Sequence, residues 1–345
     1  MKFSLFVHME RNDLEKSHAE LFNDLTDLVQ TAEAGGFEAA WIGEHHGMEF
    51  TISPNPFINI AYLGAKTNRI RLGTGTVIAP FWHPLRLAGE AAMTDIATGG
   101  RLDLGIARGA YSFEYERLMP GLDAWTAGQR MRELVPTLRK LWQGDYAHEG
   151  EFWRFPTSTS VPKPVQESFP PIWVAARDPN SHDFAVSNRC NVQVTPLASG
   201  DTEAASLMDR FQTACAAHPD IPRPQIMLLQ HTFVADSADE ADRLSKDLSS
   251  FYCAFGAWFQ NKRPIREGFI EPLTAEEEAA MANYAPDVIR KNLVIGEPDE
   301  VIRRLKGYEA LGYDQYSVWI DGGISHERKK KSLELFIRHV LPAFA

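Results

Sequence analysis

Residues 69–109, RIRLGTGTVIAPFWHPLRLAGEAAMTDIATGGRLDLGIARG, contain the repeating unit from which we predict the fold. The apolar run at the start of this stretch is typical of a buried strand. Pro84 suits the first turn of a helix, and Gly99 with Gly100 suits the end of one. A second apolar run, 102–107, follows directly. We therefore predict a strand, a helix and a second strand in this order.

The same alternation continues in both directions along the chain. Ser17, with Glu20 three residues later, has the pattern of a capping box and predicts the start of the first helix. Eight strands, each followed by a helix, indicate a closed parallel barrel and not an open sheet. We predict a single (β/α)8 TIM-barrel domain over residues 1–345. The predicted strands are 3–7, 37–43, 69–79, 102–107, 172–176, 191–195, 226–235 and 316–321.

Residues 251–300 interrupt the alternation before the eighth strand. The seventh helix is predicted to end at Ser250, and a short loop would suffice to reach the next strand. Connections this long in a compact domain are usually functional. We predict an insertion that forms a lid, with the part from 259 to 284 mobile when no ligand is bound. A second segment, 150–171, is rich in proline, serine and threonine and is predicted to be irregular.

The composition excludes several classes of protein. The chain has a formal net charge of −11 and no basic stripe, so we expect no nucleic-acid partner. No apolar run approaches the ~18 residues of a membrane span, and the first residues lack the pattern of a signal peptide. Cys190, Cys215 and Cys253 are scattered and odd in number, which is typical of reduced thiols. We therefore expect a cytoplasmic protein with no membrane partner.

Polar residues follow several predicted strands, at the positions where active sites of this fold lie. Glu44, His45 and His46 come directly after the second strand. Adjacent side chains diverge on an extended backbone, so the two histidines are a poor pair of ligands and we predict no metal site. No G-x-S-x-G nucleophile elbow and no glycine-rich phosphate loop is present. Gly73 and Gly75 indicate close approach of a flat ligand, a bent backbone or a simple bulge.

Three motifs resemble those of the bacterial luciferase-like family of flavin-dependent monooxygenases. They are WIGEHH at 41–46, LGTGTV at 72–77 with Pro80 and His83–Pro84, and GRLDLGIARG at 100–109 followed by Tyr111. PPIWVA at 170–175 and GEPD at 296–299 extend the resemblance through nearly the whole chain. Each motif alone is moderately specific. Their order and spacing carry the resemblance.

This resemblance implies an FMN-dependent monooxygenase. FMN would arrive as FMNH2 from a separate NAD(P)H:flavin reductase and would form a C4a-peroxyflavin with dioxygen, which oxidises a small organic substrate. Weak retention of flavin during purification follows from such an exchange. A homodimer is also implied, with its contact formed by helices in the region of strands two to four.

The resemblance further implies roles for individual residues. His45 matches the catalytic histidine beside the flavin, and Glu44 the residue before it. Gly75 and Thr76 match a non-proline cis peptide under the flavin ring. Arginines and the loop after strand five would lie near the FMN phosphate, where a helix N-terminus favours anions. The other implied cofactor-binding residues are Arg108, Tyr111, Arg130, Arg177, Asn180 and Ser181.

Two places in the sequence, three positions in all, depart from the luciferase pattern. Ala107 replaces the cysteine that luciferase α subunits have before the arginine, which argues against light emission. Ala176 and Arg177 replace a Glu–Ser pair in the phosphate loop, and an added arginine suits a dianion.

Two alternatives remain at this point. One is an F420-dependent hydride-transfer oxidoreductase on a similar barrel, although the Glu-His-His form of the motif favours FMN. The other is a non-catalytic flavin-binding protein, against which His45 and the long insertion argue. The identity of the substrate does not follow from the sequence, because loop side chains determine it.

Overall fold

The computed structural model describes residues 1–11 and 13–344, and eight of its parallel strands close into the predicted barrel. The remaining short strands extend a barrel strand or form separate hairpins. In chain order the strands are β1 (Lys2–Val7), β2 (Ala39–Ile42), β3 (Arg71–Thr74), β4 (Val77–Ile78), β5 (Leu102–Ala107), β6 (Tyr146–Glu149), β7 (Arg154–Ser158), β8 (Ile172–Ala175), β9 (Asn191–Val194), β10 (Ile226–Val234), β11 (Ile265–Arg266), β12 (Phe269–Ile270), β13 (Val294–Gly296) and β14 (Gln315–Trp319).

The barrel closes because β1 pairs with both β2 and β14, and β9 pairs with β10. Phe6 on β1 is in register with Trp41 on one side and Trp319 on the other. The predicted third strand is in fact two strands, β3 and β4, and the peptide bond between Gly75 and Thr76 that separates them is cis, as expected.

Helices surround the barrel, and several begin where the sequence predicted. They are α1 (His18–Ala34), α2 (Pro56–Gly64), α3 (Pro84–Ala97), α4 (Ser112–Leu118), α5 (Ala124–Gln143), α6 (Pro179–Ser187), α7 (Gly200–Ala217), α8 (Ala238–Gln260), α9 (Ala275–Ala280), α10 (Pro286–Asn292), α11 (Pro298–Leu311) and α12 (His326–Leu335). Ser17 and Glu20 form a complete capping box at α1, and Pro84 opens α3. None of the described helices is long and apolar enough to cross a membrane.

The glycines of the third strand are explained by packing inside the barrel. A Cβ on Gly73 would lie 2.1 Å from the Trp41 indole, and a Cβ on Gly75 would lie 2.8 Å from the ring of Phe6. Both contacts are closer than real Cβ atoms make, so only glycine leaves room for these rings. None of the three explanations left open above is needed for Gly73, because close packing of the Trp41 ring accounts for it.

The region before the eighth barrel strand differs from the prediction. α8 continues ten residues beyond the predicted end, to Gln260, and stops at Asn261 in a left-handed conformation. Phe251, Phe255 and Trp258 continue its buried face, so they belong to the helix and not to an insertion. Hydrophobic recurrence at helical spacing is the physical reason for this extension.

Residues 261–288, which follow α8, form the inserted segment that the structure shows. It contains the β11–β12 hairpin and α9, and every one of its residues is exposed or half-buried. The backbone oxygen of Gly268 at the hairpin tip accepts a hydrogen bond from the Glu49 N–H at 2.9 Å, so the segment reaches the loop after β2. Its mobility stays a prediction. We call residues 261–288 the cap segment.

Two smaller differences concern strands that were not predicted. β6 and β7 form an antiparallel hairpin at the start of the region expected to be irregular. β13 lies within the expected insertion and pairs in parallel with the end of β10, outside the barrel ring.

Candidate active site

A cavity of about 1630 Å³ opens at the C-terminal ends of the barrel strands. Its lining comes from segments far apart in the sequence, which only barrel closure brings together. Of the site residues predicted from the sequence, nine line this cavity: Glu44, His45, Gly75, Thr76, Arg108, Tyr111, Arg177, Asn180 and Ser181.

His45 lines the cavity and is held by a buried carboxylate. Its Nδ1 lies 3.1 Å from Oε2 of Glu114, which is 1% exposed. The other oxygen of Glu114 accepts the backbone N–H of His46 at 2.8 Å. Because Nδ1 is engaged, Nε2 is the ring nitrogen of His45 that remains available to a ligand.

His46 turns away from the cavity and serves a structural contact. Its Nε2 lies 2.8 Å from Oε1 of Glu44, and its ring packs edge-on against Phe81. The second oxygen of Glu44 accepts hydrogen bonds from the backbone N–H of Ile78 at 2.9 Å and from Nε1 of Trp82 at 2.8 Å. Glu44 therefore fixes the ends of β2 and β4 beside the cavity.

One end of the cavity, which we call the arginine end, carries three guanidinium groups. Arg108 follows β5 and donates to the backbone oxygen of Ala124 at 3.1 Å. Arg132 on α5 donates to the backbone oxygen of Asn180 at 3.0 Å. Arg177 follows β8, and its backbone N–H donates to Oγ of Ser181 at 3.0 Å. Three cations in one cavity wall suit a phosphate dianion.

Arg130 is not brought to this cavity. Its guanidinium lies over the rings of Phe152 and Trp153, 5.0 and 5.5 Å from their centroids. The face of α5 that lines the cavity instead contains Gly128 and Arg132. Residues four apart share a helix face, whereas residue 130 lies on another.

The N-terminus of α6 is already occupied by a side chain. Asp178 is its N-cap and accepts the backbone N–H of Ser181 at 3.1 Å. Burial acts to raise the pKa of Asp178, but hydrogen bonds from the first turn of α6 outweigh it and lower that pKa. The expected anion site at this helix end is therefore filled by a carboxylate, and the arginines remain the groups for a phosphate.

The opposite end, which we call the aromatic end, is lined by rings. Tyr111 and Phe259 lie 4.7 Å apart at 32°, and Phe255 stands at 78° to Phe259 and 4.8 Å from it. Trp319 lies 4.8 Å from His8 and 6.2 Å from Phe255. Phe259 lines the cavity, whereas its neighbour Trp258 packs on Phe113, and Phe81 packs on His46.

Three polar groups at the cavity are buried without a hydrogen-bond partner. They are Nδ1 of His8, Nε2 of Gln193 and Nε1 of Trp319. Burial first, and then the neighbouring basic side chains of His45, His231 and Lys329, hold the pKa of His8 well below its usual value. His8 is therefore neutral near pH 7. Buried polar groups normally find a partner, so these atoms point to a ligand with a polar edge.

The sequence did not identify several of these residues as members of the site. Glu114 on α4 had no local signal, because its contact with His45 spans 69 residues. His8 and Trp319 follow or end apolar strands and resemble core residues until the barrel closes. Arg132 could have been found, since it lies four residues after Gly128 on the face of α5 that begins with Ala124.

The residues present fit a bound flavin mononucleotide. The arginine end offers charge for the phosphate, and Gln193 offers an unpaired donor for the polar edge of a ring system. The volume of about 1630 Å³ exceeds that of usual single-ligand pockets, so a substrate can share the cavity. Among the described residues, no cluster of three or more His, Cys, Asp or Glu is arranged to hold a metal ion.

Comparison with known proteins extends these observations. The model of the luciferase-like monooxygenase family matches residues 1–315. The oxygenase component of the flavin-dependent trigonelline monooxygenase of Acinetobacter baylyi is 61% identical over 345 residues, which are 100% of this chain and 96% of the relative. The structure of the monooxygenase RslO1 from Streptomyces bottropensis is 26% identical, with a TM-score of 0.82 and 100% of both chains covered. The FMN complex of the oxygenating constituent of 3,6-diketocamphane monooxygenase from Pseudomonas putida shares the fold, at 21% identity and a TM-score of 0.78 over 99% of this chain and 98% of that one.

Proposed function

The chain belongs to the luciferase-like monooxygenase family, and from that premise we propose that its substrate is trigonelline or a close analogue. It is a flavin-dependent monooxygenase of the two-component type, with FMN as its cofactor. One observation carries the proposed substrate, namely 61% identity over the whole chain to a trigonelline monooxygenase component. Trigonelline is a planar zwitterion, an N-methylpyridinium ring with a carboxylate.

Reduced FMN, when bound, supplies the electrons with which one atom of dioxygen enters the substrate and the other leaves as water. The arginine end is the part of the cavity that would hold its phosphate. Gln193 would meet the polar edge of the ring. Glu44 keeps the strand ends beside that ring in place through its contacts with His46 and Trp82.

His45 is the group we assign to proton handling. Glu114 holds Nδ1 of its imidazole, so Nε2 can hold or release a proton at the substrate. His45 and Glu114 thus form a pair in which the carboxylate orients the ring that reacts.

Exclusion of water is assigned to the aromatic end and the cap segment. Residues 280–284, at the end of the cap segment, line the cavity directly. The ring of Tyr284 packs closely on α8, since a Cβ on Gly256 would lie 3.3 Å from it. A cavity closed in this way protects reactive species from stray water.

A separate NAD(P)H:flavin reductase is the proposed source of reduced FMN, as the name of the trigonelline relative as an oxygenase component suggests. Weak retention of flavin by the isolated chain follows, because the cofactor must pass between two proteins. The free thiols of Cys190, Cys215 and Cys253 support a reducing compartment, and we place the protein in the cytoplasm.

A homodimer is the proposed assembly, with its contact on α2 and α3. These helices pack together and carry large exposed apolar side chains. Ile58 and Met93 are each 66% exposed, and Tyr62 and Ile96 are 40% and 44% exposed. Apolar patches on a protein surface mark interaction sites. Light scattering should give twice 38.7 kDa, and a mass of one chain would contradict the dimer.

A reconstituted assay tests the proposed function. The purified chain, a flavin reductase, NADH and catalytic FMN are mixed with trigonelline under isotopically labelled dioxygen. We expect consumption of trigonelline, with one labelled oxygen atom in the product and none when the reductase is omitted. Product formation with reduced F420 in the absence of dioxygen would support the hydride-transfer alternative instead. Oxygen uptake that yields only hydrogen peroxide with trigonelline, but a product with another substrate, would overturn the proposed substrate.

A further inference from the structure

We propose that the positive ring of the substrate is recognised by the faces of aromatic side chains and not by a carboxylate. The subsite is centred on Phe259 at the aromatic end, with Phe255 and Trp319 packed around it. This inference rests on the proposed function, and it assigns the residues that select the substrate.

Every carboxylate that lines the cavity already has partners. Glu44 is engaged by His46, Ile78 and Trp82. Asp178 caps α6. Asp183 lies 2.7 Å from Nε2 of His218. Asp183 is 56% exposed, but it and Asp178 both belong to the start of α6, beside the arginine end. Among the described lining residues, the aromatic end itself therefore presents no carboxylate to a cation.

The aromatic end offers ring faces in place of that charge. Phe255 meets Phe259 edge to face, with 4.8 Å between ring centroids and an interplanar angle of 78°, and Trp319 stands at 72° to Phe255. One face of Trp319 is stacked on His231 at 3.8 Å, so Phe259 is the ring of this wall that presents open surface to a ligand. Quaternary ammonium groups bind over aromatic rings because the faces of those rings are electron-rich.

Phe259 is the one member of this wall with a large exposed surface. It is 40% exposed, whereas Phe255 and Trp319 are buried to 6% and 3%. A flat cationic ring that lies on Phe259 would cover this surface and gain apolar burial as well as attraction to the ring face.

The charges around the subsite agree with this orientation. His8 lies beside Trp319 and is neutral near pH 7. Burial first, and then the neighbouring side chains of His45, His231 and Lys329, lower its pKa. The three arginines lie at the other end of the cavity, where they favour the phosphate. Tyr111 joins the subsite to the reacting group, since it lies 4.7 Å from Phe259 and 5.2 Å from His45. A substrate ring that lies on Phe259 is thus separated from His45 by about the side chain of Tyr111.

The test compares charged and neutral ligands on two variants of one residue. Phe259→Leu keeps an apolar side chain but removes the ring face, and Phe259→Trp keeps a ring. Dissociation constants are measured by calorimetry with oxidised FMN present and no reductant, so that no turnover occurs. The ligand pairs are trigonelline with nicotinate, and the ring-methylated cation 1-methylnicotinamide with nicotinamide. Within each pair, methylation of the ring nitrogen gives the ring its positive charge.

We expect Phe259→Leu to weaken both cationic ligands by about 2- to 30-fold and their neutral-ring counterparts far less, which is the range of a cation–π contact. Phe259→Trp should retain or improve the affinity for the cations. Equal losses for charged and neutral rings, or no loss, would overturn the aromatic subsite. Unchanged FMN affinity and melting temperature in both variants establish that the fold is intact.

The results separate this inference from the proposed function. A wild-type enzyme that oxidises trigonelline but gives the same charged-to-neutral ratio as Phe259→Leu refutes the subsite alone. A wild-type enzyme that binds neither cation, yet couples dioxygen to another substrate, refutes the proposed substrate and the subsite together.

Discussion

The two ends of the cavity are built by different means. The arginine end has exposed or half-buried cations on loops and on one face of α5, and its Asp178 carboxylate caps α6. The aromatic end has rings on β14, on α8 and at the N-cap of α4, most of them buried. Solvent-accessible cations can bind any ligand that carries a phosphate, whereas closely packed rings accept only a ligand whose shape matches them. The difference teaches that cofactor binding and substrate choice are separable in this molecule.

The largest effect should come from His45, which lies where the two ends meet. His45→Ala should lower the yield of oxygenated product by a factor of ~10² or more, the usual scale for general acid–base catalysis. Hydrogen peroxide should rise by the amount that the product falls, and FMN affinity should change far less. The measurement is product and peroxide per NADH consumed. A variant that couples oxygen to product as well as wild type would remove His45 from the mechanism.

A second prediction concerns a variant that alters the arginine end alone. Arg132→Ala should weaken FMN binding by about 10-fold, because a charge-assisted hydrogen bond to a phosphate contributes roughly 1.5–3 kcal/mol when fully formed and less at a partly exposed site. Affinity for the substrate should be unchanged. Fluorescence titration of FMN measures the first and calorimetry the second.

Arg130→Ala is the matched control for that variant. Arg130 lies two residues away on the same helix but outside the cavity, against Phe152 and Trp153. FMN affinity should therefore be kept, whatever happens to the melting temperature. If Arg130→Ala weakened FMN as much as Arg132→Ala, the assignment of the phosphate to this face of α5 would be wrong.

The smallest expected effect concerns the buried histidines behind the aromatic end. Burial first, and then Lys329, hold the pKa of His231 well below its usual value, and its ring stacks on Trp319 at 3.8 Å. Below about pH 6.5 the unfolded chain takes up a proton that the folded chain does not. The free energy of unfolding should therefore fall with decreasing pH, by about 1.4 kcal/mol per pH unit for this residue.

His231→Gln should remove that contribution to the slope. Urea unfolding of wild type and variant at pH 7.5, 6.5 and 5.5 measures it, and the two slopes should be equal above pH 7, where the residue is neutral in both states. Identical slopes below pH 6.5 would show that His231 is protonated in the folded protein. The aromatic end would then carry a positive charge that disfavours a cationic substrate.

Sequence alone was sufficient for the barrel and for most of the arginine end. Strand periodicity predicted the alternation, and positions at or shortly after strand ends predicted that His45, Arg108 and Arg177 line one cavity. Their individual roles stay predictions. The sequence did not predict Glu114, because its partner His45 is distant in the chain. The extent of α8 was readable in principle, since Phe251, Phe255 and Trp258 recur at helical spacing, but the change to a mixed polar composition hid it.

The cap segment has a consequence for how this protein tolerates genetic change. Because residues 261–288 contribute no buried side chain, substitutions, deletions and insertions there cost the barrel little. Yet the same segment ends at the cavity and reaches the loop after β2 through Gly268. Changes in this stretch can therefore alter which molecules enter, while the barrel that lines the rest of the cavity keeps its packing.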